Sequence, residues 1–129
     1  MKFSTNKPPC YDRLASVFPI DWDSGIAITY KDTIYSKHPL PLHKIVHEQV
    51  HLEQQKGVVD ESFVDKYITD PAFRLEMELQ AYRTERDWIK INVKDRNLKV
   101  KMIDQIYKDL SLPIYGDIIK YSDAKRLLQ

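Results

Sequence analysis

The stretch His47-Glu48-Gln49-Val50-His51 constrains this chain more than any other. Two histidines four residues apart come close together on one face when the backbone between them is helical. On a helix their Cβ atoms lie about 5–6 Å apart, close enough for both imidazoles to converge on one ion. Glu48 follows the first of these histidines directly, in position to take a proton from a water held by such an ion. The pattern therefore predicts a helix from about Pro41 to Lys56, with Pro41 in its first turn and Gly57 just beyond its end. Ile45, Val46 and Val50 are its expected apolar anchors. The other two histidines, His38 and His43, lie within the same short region. His43, His47 and His51 cannot all reach one ion, because eight residues of helix rise about 12 Å. Only His47 and His51 bracket a glutamate, so His43 is expected behind the ligands or at the surface, and His38 in solvent.

The rest of the chain supplies the frame. Its 129 residues have the length of one domain, expected to span residues 1–129. A chain of this size can bury a core without staples, so a bound metal is expected to serve chemistry and not folding. With 20 basic and 19 acidic residues the net charge is +1, which offers no electrostatic case for nucleic acid or a membrane surface. Lys94, Lys99, Lys101 and Lys108 are diluted by Asp95, Asp104 and Asp109. No apolar run is long enough to span a bilayer, and the first residues lack the apolar stretch of a secretory signal. A cytoplasmic location is the expectation. One cysteine, Cys10, excludes an internal disulfide.

Along the chain, Tyr11 to Phe18 reads as a short helix and Asp21 to Gly25 as a turn. Ile26–Tyr30 and Thr33–Ser36, linked by Lys31-Asp32, suggest a β-hairpin, although Lys-Asp is not a favoured turn pair. After the histidine-bearing helix, one helical turn is expected at Ser62 to Tyr67. Asp70-Pro71 is a strong helix start, an N-cap followed by proline, and the helix should run to about Val93. A further helix carries Leu98, Met102, Ile106 and Leu110 near one face before Pro113. Ser122 is a candidate cap for a last helix ending at Leu127 and Leu128. The expected class is α+β, mostly helical, with a small antiparallel sheet packed on the helix of His47 and on a glutamate-bearing helix.

A catalytic site of this type needs a third protein ligand and an open position for water. No histidine follows His51, so that ligand should be a carboxylate on the helix capped by Asp70, where Glu76, Glu78 and Glu85 are the candidates. Glu78 is favoured because Ala81 lies one turn on along its face, and a small residue there lets two helices approach closely. Glu76 points about 160° away around the helix. Glu85 shares the Glu78 face two turns further along.

His47-Glu48-x-x-His51 followed by Glu78-x-x-Ala81-Tyr82 resembles the gluzincin group of zinc metallopeptidases, a zincin-like arrangement of a sheet and two ligand helices. Longer matches around residues 46–55, 70–82 and 110–116 are similar to metallopeptidase-like proteins encoded by bacteriophages. The resemblance implies Zn2+ held by His47, His51 and Glu78, with Glu48 as general base, a peptide or protein as substrate, and a phage origin. The gluzincin pattern usually has Asp or Asn where Tyr82 stands. Tyr115 and Tyr82 are the candidates for the donor that such a site needs to steady a developing oxyanion. The strand around Thr33 to Tyr35 is expected to offer an open edge to an extended peptide. A different class is also expected to fit: a phage particle component, virion-associated, that keeps the metallopeptidase fold for assembly.

Overall fold

In the computed structural model, which describes residues 1–129, strand β1 (Lys2–Ser4) is followed by helix α1 (Tyr11–Ala15), strands β2 (Ala27–Tyr30) and β3 (Thr33–Ser36), and helix α2 (Leu42–Gln54). Helices α3 (Ser62–Thr69), α4 (Pro71–Asn92), α5 (Arg96–Leu110) and α6 (Tyr121–Leu128) complete the chain. This is an α+β fold, mostly helical, with one small sheet. No helix is long and apolar enough to cross a membrane.

Helix α4 begins as its sequence dictates. The Asp70 side chain accepts a hydrogen bond from the Phe73 N–H (3.1 Å), and Pro71 occupies the first turn, where its missing N–H costs nothing. Helix α3 extends to eight residues instead of one turn, with Val64 as its buried anchor. In α6 the expected cap is displaced: Lys120 holds the N-cap position and Ser122 lies inside the helix. Ile89, Ile106, Leu110 and Leu128 are fully buried and join α4, α5 and α6 into the main core. Leu98, one turn before Met102 on α5, is 50% exposed, because the first turn of that helix extends past the core.

The hairpin forms, with Tyr30 opposite Thr33 and Ile28 opposite Tyr35. The sheet is nevertheless mixed. β1, too short to show an alternating pattern, pairs parallel with β3, giving the order β1-β3-β2. β3 is therefore the central strand, and the open edge expected at Thr33 to Tyr35 does not exist. The free edge that faces α2 belongs to β2.

The unfavoured Lys31-Asp32 turn has a local remedy. Lys31 takes a positive φ of 56°, a conformation that L side chains adopt at a cost. Buried Gln55, just past α2, accepts from the Lys31 N–H (2.7 Å) and donates to the Thr29 carbonyl (2.9 Å). Gln55→Leu keeps the bulk but leaves both backbone groups without partners, and is expected to lower stability by about 1–3 kcal/mol in chemical denaturation. Lys31→Gly is expected to shift the same measurement the other way.

Helix α2 lies between the sheet and α4, and its burial pattern is unusual. Its buried residues are not Ile45, Val46 and Val50, which are half-buried, but His47, Glu48 and His51. The face turned inward is ionisable. Burying such a face is costly unless each group finds a partner.

Candidate metal centre

Glu78 meets that face from α4. It lies one turn before Ala81, which is fully buried where the two helices pack. The Nε2 atoms of His47 and His51 are 3.2 Å apart, and Glu78 Oε1 lies 3.3 Å from the first and 3.2 Å from the second. A regular tetrahedron with edges of this length has its centre about 2.0 Å from each corner, the length of zinc bonds to imidazole and carboxylate. Three corners are protein donors and the fourth is not. His47, His51 and Glu78, all buried, can thus hold a metal ion.

The hydrogen-bond network shows why an ion suits this point. His47 Nδ1 donates to Glu85 Oε1 (3.0 Å), since a carboxylate can only accept. Gln54 donates through its amide nitrogen to the Met77 carbonyl and the Gln80 side chain (both 3.0 Å), which turns its oxygen toward His51 Nδ1 (2.8 Å). Both histidines therefore carry their proton on Nδ1. Their Nε2 lone pairs face each other and a carboxylate oxygen, and three acceptors so close together repel unless a cation lies between them. Tyr67 donates to the second oxygen of Glu78, Oε2 (2.7 Å), which leaves Oε1 for the ion.

In the metal-free protein a proton can play that part. Burial works against a charged His47, but Glu78, Glu85 and Glu48 outweigh it and hold its pKa up to about 10. Burial alone would raise the Glu78 carboxyl, yet His51 and His47 hold it well below the usual carboxylate range. Because the folded-state pKa of His47 is raised, its pairing stabilises the metal-free fold fully below the ordinary imidazole value. That contribution is lost as pH rises through about 10. A metal must displace the same proton. Its apparent affinity is expected to rise about tenfold per unit between about pH 7 and pH 9, with proton release visible by calorimetry in buffers of different ionisation enthalpy. A pH-independent affinity would show that His47 carries no such proton.

Glu48 shares the pocket. Its Oε2 lies 3.6 Å from His47 Nε2, and its Oε1 accepts from the Thr29 hydroxyl (3.1 Å). Burial, opposed by the two imidazoles, raises its pKa above the ordinary carboxylate value, which makes it a better base. Tyr115, from the short turn Pro113–Tyr115, lines the same cavity and shares a 2.7 Å hydrogen bond with the Tyr82 hydroxyl. Burial keeps its proton well past neutral pH, as a donor requires. Tyr82 packs edge-on against the His47 ring, with centroids 4.3 Å apart.

The structure thus brings together His47, Glu48, His51, Glu78 and Tyr115. His38 is exposed, as expected, and His43 donates from Nδ1 to Glu85 Oε2 (2.9 Å), so it stands behind the ligands. Glu85 is not a third ligand but the carboxylate that orients His47, itself paired with Lys44 (3.1 Å). The carboxylate-to-histidine role that Tyr82 cannot play is filled from two turns beyond Glu78. Its spacing of seven was a visible signal, as was the three-residue spacing of Gln54 from His51. Thr29 and Tyr67 come from separate elements and carry no such signal. Partners of this kind orient metal ligands. Glu85→Gln is expected to weaken metal binding about 10–100-fold with all three ligands in place, measured by competition with a chromophoric chelator.

Compared with family models, curated proteins and solved structures, the chain matches none.

Proposed function

We propose that this chain is a zinc-dependent metallopeptidase of the gluzincin type, acting on an extended peptide or protein. The observation that supports this reading best is the pairing of a three-donor, open-cornered metal centre with Glu48 in the same buried pocket. A purely structural zinc site is closed by four protein ligands and has no use for an adjacent base. Two imidazoles and one carboxylate suit zinc among the divalent ions, although the donor set also admits others.

The bound ion supplies Lewis acidity, polarising a carbonyl and lowering the pKa of water. The chain's own groups do the rest. Glu48, oriented by Thr29, takes the proton of the attacking water and returns it to the leaving amine. Tyr115 donates to the carbonyl oxygen as that oxygen gains negative charge, with the Tyr82 hydroxyl donating to Tyr115 in turn. Ala27, Ile28 and Thr29 on edge strand β2 line the cavity, so an extended substrate pairs with β2, ahead of the Thr29 carbonyl that Gln55 already holds, and not with β3.

Elemental analysis of purified protein, joined to cleavage of a mixed peptide library, tests the reading. One zinc per chain is expected, with cleavage abolished by chelation and restored by zinc. Protein without zinc affinity, or cleavage indifferent to the chelator, would refute it.

A further inference from the structure

We propose, resting on the peptidase reading above, that Arg74 is a positioning residue for the reaction: it fixes the backbone of Tyr115 so that the Tyr115 hydroxyl meets the carbonyl oxygen at the metal centre. Arg74, Glu78 and Tyr82 follow one another at spacings of four on α4, and all three are buried. Residues so spaced line one face of a helix, about 6 Å apart from turn to turn. Tyr115 is bonded to both ends of that row. Its carbonyl accepts from Arg74 Nε (2.8 Å), and its hydroxyl shares the 2.7 Å hydrogen bond with Tyr82. Glu78, the metal ligand, is the residue in between.

These two are the only hydrogen bonds between the turn Pro113–Tyr115 and α4. The bond to Tyr82 holds only the tip of the side chain. The bond to Arg74 fixes the backbone from which the ring extends. The guanidinium is itself held in place. Nη1 donates to the Tyr67 and Ile68 carbonyls (2.6 and 3.2 Å) in the last turn of α3, where carbonyls lack helical partners. The guanidinium carbon also lies 4.8 Å from the centre of the Phe18 ring. Gly116, at a φ of 81°, leaves room for this group: a Cβ there would stand 2.9 Å from Arg74 Nη2. All hydrogen bonds of Arg74 go to backbone carbonyls, and it does not line the cavity at the metal centre. Its effect on the reaction therefore passes through Tyr115. Capping α3 alone would need only a positive charge near the end of that helix. What arginine adds is a planar fork that reaches a second segment at a fixed angle.

Arg74→Lys separates the two roles. Lysine keeps the charge at the end of α3 but, as a single-point donor, cannot hold that end and the Tyr115 carbonyl in one plane. The substrate is a peptide that the unaltered protein cleaves in the mixed library, and every variant is assayed at saturating zinc. Arg74→Lys is expected to lower kcat at least about tenfold with KM and zinc affinity within about twofold, because a displaced donor is missed only as the oxyanion forms. Tyr115→Phe is expected to lower kcat about 10²–10³-fold. Adding Arg74→Lys to Tyr115→Phe should then change kcat by less than about twofold, since both act through one group. A further loss in the double variant, an unchanged kcat in Arg74→Lys, or a rise in KM in its place would overturn the inference. Failure of the unaltered protein to cleave any peptide ends the peptidase reading before a variant is made, and this inference with it. If Arg74→Lys does not fold, Gly116→Ala carries the test, because its Cβ crowds the guanidinium out of its seat. A lower kcat with KM held is expected there too, and kcat at the unaltered level would overturn the inference.

Discussion

Glu48→Gln is expected to bind zinc as the unaltered protein does and to hydrolyse peptides about 10²–10⁴ times more slowly. Glutamine has the shape of glutamate and keeps an oxygen to accept from Thr29 Oγ1, the bond that orients this side chain now (3.1 Å). What it lacks is the capacity to hold a proton between the attacking water and the departing amine. The three metal donors are other residues, so metal content should not change. Metal analysis and turnover on the same preparation separate the two properties. Full activity in this variant would remove Glu48 from the reaction, and loss of metal together with activity would make it a structural element of the centre.

Glu78→Ala is expected to reduce zinc affinity by at least about a hundredfold. This is at or beyond the upper end of what a lost orienting partner costs, because here a donor itself is lost. The carboxylate contributes one corner of the donor triangle through Oε1, at 3.3 Å and 3.2 Å from the two imidazoles. Its other oxygen accepts from Tyr67, so the substitution also leaves a buried hydroxyl without its acceptor. Neither alternative glutamate can substitute. Glu85 is held by His43, Lys44 and the far nitrogen of His47, and Glu76 accepts from Gln80 on the outer face of α4. Competition with a chromophoric chelator measures the affinity. Binding within tenfold of the unaltered protein would place the third donor elsewhere.

The two substitutions differ in how visible their targets were beforehand. His47, Glu48 and His51 sit at spacings of one and four on a single helix, so helical geometry alone relates them. Asp70 and Pro71 announce the start of α4, and Ala81 marks the side of it that another helix can approach. These are short-range signals, and the structure bears out the elements they predicted. Strand β1 carries no sequence signal, because three residues cannot display alternation and its parallel partner lies some thirty positions along the chain. Without that strand, the sequence places the free sheet edge on β3 and not on β2. Ser122 differs at a helix end, where the backbone enters the helix at Lys120 and leaves the capping type of residue inside the first turn.

By itself, the sequence determined the helix of His47 and His51, the glutamate between them, the glutamate-bearing helix, and the α+β class. Each depends on spacing within one element, which backbone geometry converts directly into direction. Only the tertiary structure decided between Glu78 and Glu85, and gave the first to the metal centre and the second to His47. It alone brought Tyr67, Thr29 and Tyr115 from three other segments to the same pocket, and left that pocket's polar groups already bonded to one another. Those outcomes depend on how helices and sheet pack, where small shifts in rotation and approach select which of several suitable side chains reaches its partner.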